Sequence, residues 1–245
     1  MVGVILKCRF CKSENLIKAG QQSGHQRVKC KDCGKKYQLD YTYEATKPGV
    51  KEKIEKMAHN GSGIRDTARV LKINKNTVIN HLKKKLAKVS YVNTNLISQL
   101  PDIEEKEALC KLEIDICISA ECDEQWSYVE HKGNKRWLWY ILMKGSKKVL
   151  GFAFGDRSQK TFEKLVDLLP EKLLDRLDTD GYICYKNIRF TPIHNVGKHL
   201  TTSIERKNLD LRNRIKRLGR KTSCFSKSEI LHDAVIGRFI NLYMF

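Results

Sequence analysis

The chain has 245 residues, enough for one full-sized domain and one or two small modules. Its net charge of +19 and pI near 9.5 point to a polyanionic partner, most simply nucleic acid. No run approaches the roughly 20 apolar residues of a membrane span, and Lys7, Cys8 and Arg9 interrupt the short apolar start, which argues against a signal peptide.

The positive charge falls in two blocks, residues 72–88 and 206–227. Of the nine cysteines, four have metal spacing and the rest are scattered, which fits a reducing, cytoplasmic setting better than a disulfide framework. Those four, Cys8, Cys11, Cys30 and Cys33, form two CxxC pairs. Each pair can present two thiolates to one tetrahedral Zn²⁺, and a segment this short needs metal to fold. With four thiolates completing the shell, His25 belongs on a strand leading to the second knuckle. Strands are expected at 21–28 and 35–43, making residues 1–45 a zinc ribbon.

Pro48 and Gly49 break the chain, and helices are expected at 50–60, 64–71 (with Ser62 as N-cap) and 76–86. The last two, joined by a short turn at 72–75, resemble a DNA-binding helix-turn-helix, here 46–88. Lys75, Asn76, Thr77, Asn80 and His81, polar and early in the second helix, are candidates for base contacts, and Lys83, Lys84 and Lys85 for phosphates. Residues 89–111 hold no steady period and are expected as a linker with at most one short helix.

From Ala120 onward the pattern is that of strands. The stretch AECDEQWSYV alternates, placing Cys122, Glu124, Trp126 and Tyr128 on one face and Asp123, Gln125 and Ser127 on the other. Buried strands are expected at 136–144 and 149–154, and an amphipathic helix at 158–174 with a break near Pro170. A short strand follows, ending at Asp180. This order matches the RNase H-like fold, in which the first and fourth strands are neighbours; the expected class is α+β with an RNase H-like α/β domain at 112–245. From Thr202 a basic helix carries Glu205 and Arg212 at the edge of an apolar stripe. Asp123, Asp180 and Glu205 brought together would repel unless cations were present. Two Mg²⁺ (or Mn²⁺) ions about 4 Å apart would relieve that repulsion and clamp a phosphodiester. Asp178 competes with Asp180, and Glu121 and Glu124 with Asp123. Tyr182 and Tyr185 lack the Arg and His constellation of a tyrosine nucleophile.

The knuckles around GHQRVKC, the segment GSGIRDTARVLKINKNTVINHLKK, and AECDEQWSYV, DTDGY, SIERKNLDLRNRIKRLGRKTSCFSKS and SEILHDAVIG resemble a transposase of the insertion sequence one family. The resemblance implies a DDE transposase whose triad falls on Asp123, Asp180 and Glu205, with Arg212 as the basic residue seven positions past the Glu. It implies binding to double-stranded DNA at element ends and at target, cleavage and strand transfer, and a dimer or higher oligomer. The rival functions are a zinc-dependent DNA-binding regulator with an inactive nuclease-like domain, and a junction resolvase on the same fold.

Overall fold

The computed structural model describes residues 6–39, 43–86, 88–110, 117–186 and 190–245. The end of the strand expected at 35–43 and the domain boundary expected at 111–112 lie outside the described residues.

The N-terminal module is an antiparallel sheet of β1 (Leu16–Gln22), β2 (His25–Cys30) and β3 (Lys36–Gln38). The strand expected at 21–28 is really a hairpin. Ser23 and Gly24 take positive φ and turn the chain, so His25 opens β2 and pairs with Gln22. Val28 and Tyr37 are the buried apolar side chains beside Cys8 and Cys30, a core too small to hold the module by itself.

Three helices follow: α1 (Val50–His59), α2 (Ile64–Val70) and α3 (Lys75–Leu86). The residue preceding α2 is Gly63 in extended conformation, not Ser62, and no side chain caps the helix. Lys72 reverses the chain at positive φ, and the Asn74 side chain accepts the Asn76 N–H at 2.8 Å as α3 begins. Ile54, Ala58, Ala68, Ile73, Val78 and Leu82 form the core of this unit.

The larger unit contains β4 (Ser119–Tyr128), β5 (Lys135–Met143), β6 (Val149–Gly155), β7 (Arg176–Thr179) and β8 (Ile193–Val196), in the order β6-β5-β4-β7-β8. β4, β5 and β6 are antiparallel, and β4, β7 and β8 run parallel. One face packs on α6 (Gln159–Val166) through Cys122, Trp139, Ile141, Phe162 and Leu165. The other packs on α7 (Thr202–Arg214) and α8 (Glu229–Tyr243) through Leu138, Tyr140, Phe152, Ile204, Leu211, Ile236 and Ile240. α6 stops well before Pro170, shorter than the period suggested. α7 ends at Arg214 because Ile215 turns to extended backbone and buries its side chain; the basic run beyond it is a short 3-10 turn and a loop.

The expected linker is packed instead. Asn93 N–H donates to the Leu150 carbonyl at 2.8 Å and Phe152 N–H to Tyr91 at 2.9 Å, so residues 91–93 border the β6 edge. Short helices α4 (Thr94–Ile97) and α5 (Ile103–Cys110) follow, and Lys106 pairs with Asp175 at 2.9 Å.

α8 belongs to two cores. Ile236, Phe239 and Ile240 lie under the sheet, while Val235 completes the three-helix core. His59 of α1 stacks edge-on against Phe239 at 5.5 Å. The guanidinium of Arg217, which the sequence pattern assigns to the cationic surface, is buried; it donates to Ser226 at 3.1 Å and to the Ala58 carbonyl of α1 at 3.4 Å. Replacing Phe239 with Ala should therefore cost about 3–5 kcal/mol and lower the melting of both units together. Calorimetry should show one shifted transition; a three-helix transition left at the wild-type temperature would contradict the shared core.

Candidate active site and cysteine cluster

In the N-terminal module the thiols of Cys8, Cys11, Cys30 and Cys33 all lie within 4.8 Å of one another. Cys8 to Cys33 is 3.7 Å and Cys11 to Cys30 is 3.5 Å; four sulfurs at Zn–S ~2.3 Å in a tetrahedron stand about 3.8 Å apart. The two knuckles repeat one geometry. Lys12 N–H donates to Cys8 and Gly34 N–H to Cys30, each at 3.0 Å, and Lys12 and Gly34 both take positive φ. Amide hydrogen bonds within the first knuckle, led by that of Cys11, pull the Cys8 thiol down to about 6, favouring the thiolate that a metal needs. Cys30→Ser should remove bound zinc and unfold this module while the large sheet survives. Elemental analysis of the purified chain checks the metal and calorimetry the sheet; full zinc retention by the variant would contradict the ligand set.

In the large unit, parallel register sets Glu121 of β4 beside Asp178 of β7 and Cys122 beside Thr179. Asp123, midway along β4, and Asp180, just past the end of β7, are the next residues on each chain. Asp123 faces α7: its Oδ2 accepts from Asn208 Nδ2 at 2.6 Å, and its Oδ1 from the Glu124 N–H at 2.8 Å. Tyr140, directly across the ladder from Asp123, donates to Asn208 Oδ1 at 2.9 Å and so orients the amide. Asp180 accepts the Tyr182 N–H at 2.9 Å in the turn after β7. Glu205 projects from the first turn of α7 and is exposed.

Burial, and after it the charges of Glu124, Asp180 and Glu205, push the Asp123 carboxyl up to about 7. The three acids are thus near enough to feel one another, although among the described residues only the cysteines close to within metal-ligand contact. Arg212 stands on the same helix as Glu205 and within the field of Asp123. Its Nε is buried without a partner, as are both polar atoms of Gln125, two residues beyond Asp123. Orphaned buried donors beside an acid cluster mark a place built for a further polar group.

The competing acids are occupied. Glu121 accepts the Ile204 N–H of α7 at 2.7 Å. Asp178, fully buried, is held by Lys144, by Arg176 at 2.9 Å and by Asn195 at 3.0 Å, and these donors keep its carboxyl below the usual range despite burial. Glu124 points to the opposite face, to Arg157 at 2.6 Å and Tyr185 at 2.7 Å. Sequence reasoning missed Asn208; its signal is the Asn one turn after Glu205, on the buried side of a basic helix.

On α3, Lys75, Asn76, Asn80, Lys83 and Lys84 are exposed, while Val78 and Leu82 face inward. Thr77 is half-buried, 3.1 Å from the Tyr43 hydroxyl. His81 turns inward to Glu55 at 3.1 Å with its side chain only 11% exposed, and Lys85 pairs with the same carboxylate at 2.7 Å. His81 is therefore not presented to a groove as its early helix position suggested. No helix among the described residues is long and apolar enough to cross a membrane.

The structure thus joins a three-helix unit with an exposed polar helix face to a mixed sheet that carries a cluster of carboxylates. The family model described as IS1 transposase matches residues 116–245, and that of the InsA C-terminal domain matches residues 41–85. The chain is 42% identical over 130 residues to the insertion element iso-IS1n protein InsB of Shigella dysenteriae, covering 53% of this chain and 99% of that relative. It is 41% identical over 128 residues to the insertion element IS1 4 protein InsB of Escherichia coli K12, covering 52% of this chain and 77% of that relative. The chain belongs to the IS1 transposase family.

Carboxylate oxygens from Asp123, Asp180 and Glu205 are the donor chemistry of a hard divalent cation, and the charge crowding on Asp123 is what such a cation relieves. Binding must displace the Asp123 proton, so apparent Mn²⁺ affinity should rise about tenfold per pH unit below about 7 and level off above it. Calorimetric titration of the zinc-loaded chain measures this; a flat profile through pH 6 would exclude Asp123 as a ligand.

Proposed function

We propose that this chain is a DDE transposase that binds the terminal repeats of an insertion element and carries out DNA cleavage and strand transfer. Residues 1–45 act as a zinc ribbon and 46–88 as the DNA-reading helix-turn-helix, with 112–245 as an RNase H-like catalytic domain. The strand order, three antiparallel strands and then two parallel to the first, supports the RNase H-like reading. On α3, Lys75, Asn76 and Asn80 face base edges with Thr77 beside them, and Lys83 and Lys84 face phosphates. Bringing two element ends together calls for at least two copies of the chain.

The observation that supports the catalytic reading is the pairing of β4 with β7, which ends at Cys122 and Thr179, one residue before Asp123 and Asp180, together with the charges of Asp180 and Glu205 that act on Asp123. Bound divalent ions supply Lewis-acid activation of water and stabilise charge on the phosphate. The chain's own residues do the positioning: Asn208 fixes Asp123, and Arg212, with its unpaired buried Nε, offers a guanidinium to a phosphate oxygen beside the acids. Water attacks the phosphodiester at the element end and the 3′-hydroxyl leaves. That hydroxyl then attacks a target phosphorus in line, forming a new P–O bond as the target's own P–O3′ bond breaks, and the departing 3′-oxygen takes up a proton as the attacking hydroxyl loses one.

Glu205→Gln keeps the side chain's size and removes its charge. Cleavage of a labelled end fragment should fall by orders of magnitude, while a gel shift on the same DNA stays nearly unchanged. Asp123→Asn and Asp180→Asn should behave alike, and pairs should cost little more than singles because the acids act as a unit. Asp210→Asn, a solvent-facing acid of the same helix, is the control and should retain activity. Equal cleavage by wild type and Glu205→Gln would remove that residue from the site. No cleavage by wild type would favour a DNA-binding regulator.

A further inference from the structure

A row of aromatic and cationic side chains lies outside the acid centre. Trp126 of β4 and Trp137 of β5 are directly opposed across the ladder, so their side chains share one face of the sheet. Both are partly exposed, whereas Trp139, two residues along the same strand, is fully buried in the core. Arg157 lies with its guanidinium carbon 4.8 Å from the Trp137 ring and 3.8 Å from the Tyr182 ring. Its other side is fixed by Glu124 at 2.6 Å, and Tyr182 donates back to the Arg157 carbonyl at 3.0 Å. At the far end Arg220 stands 5.2 Å from the Trp126 ring.

The row meets the acid centre at its Tyr182 end, while its tryptophans stand on the Glu124 face of the sheet, opposite Asp123. Tyr182 shares the turn of Asp180, to which it donates its N–H. Arg220 lies within the field of Arg212, itself in the field of Asp123. Trp137 and Tyr182 pack one side against the core of Trp139 and Phe162, while Trp126 stands outside that core beside Arg220. Alternating π faces and cations are what unpaired nucleotides require, with bases stacking on the rings and phosphates meeting the charges. An intact duplex hides its base faces and cannot use such a row.

We infer that the Trp126–Trp137–Arg157–Tyr182 row binds unpaired DNA bases next to the scissile phosphate, holding a strand splayed from the element end. The inference rests on the transposase reading for its location, but its test needs no catalysis. Oligothymidylate, titrated into the full-length zinc-loaded chain without added divalent ion, should quench tryptophan fluorescence. Salt of about 0.3 M suppresses purely electrostatic binding. Trp126→Ala should lower the affinity about tenfold, Trp126→Phe should keep most of it, and binding of a fully paired duplex should not change. Glu205→Gln should bind oligothymidylate as wild type does, so a failure of the catalytic assignment is read separately. Photocrosslinking of wild type with 5-iodouracil-substituted oligonucleotide needs no variant to fold and should label peptides holding Trp126, Trp137 or Tyr182. Unchanged oligothymidylate affinity in Trp126→Ala, equal losses for single strand and duplex, or crosslinks confined to residues 75–85 would overturn the inference.

Discussion

A single hydrogen bond, from the Ile204 N–H to the Glu121 carboxylate at 2.7 Å, ties the central strand to the helix behind it. The first N–H groups of a helix have no partner within it, and its positive end favours an anion. A carboxylate at 2% exposure needs a strong donor in return. Each group satisfies what the other lacks, and the geometry follows: Asp123 is two residues beyond Glu121, and Glu205 is the residue after Ile204. Tyr140 reinforces the joint by donating to the Ile204 carbonyl at 3.2 Å and to Asn208 at 2.9 Å.

The sheet is unusually rich in buried acids for so cationic a chain, and partners sort them by role. Asp178 has Lys144, Arg176 and Asn195, and Glu124 has Arg157 and Tyr185. A buried carboxylate with cations around it is a strut. Asp123 receives only neutral donors, Asn208 and a backbone amide, while further carboxylates crowd it. That imbalance leaves Asp123, unlike its neighbours, in need of a positive partner from outside the chain.

The three-helix unit rides on the back of the sheet through α8 rather than hanging from a tether. The interface mixes apolar packing at Val235 with a polar chain in which His232 sits between Ser127 of β4 and Ser226, and Arg217 reaches from Ser226 to α1. Burial, and then the charges of Arg217 and Arg136, hold the His232 imidazole down to about 3, so it stays neutral between its two hydroxyls. This polar chain ties α1 of the three-helix unit to β4, the strand that carries Asp123.

Local chemistry was legible in the sequence wherever a few neighbouring residues suffice. Two CxxC knuckles announce a cysteine cluster, alternation announces β4, and the punctuation at Pro48-Gly49 and 72–75 frames three helices. The first three strands of the large sheet and the acids worth considering followed from period and spacing, whereas the adjacency of β4 and β7 was expected only from the RNase H-like order of elements. Which acid is free and which is paired did not, because Lys144, Arg157 and Asn195 are distant in sequence and only pleat and register bring them to their partners. The same holds for His81, whose helix position suggests a groove contact but which packing turns to Glu55. Residues 91–93 lack periodicity because their backbone hydrogen bonds go to β6, and the helices that follow, α4 and α5, are too short to show a period. Asn208 and Arg217 read as members of a basic helix surface until tertiary contacts bury them. Periodicity reports which face of an element is apolar; only the assembled fold decides which polar group on that face finds a partner and which is left to meet a ligand.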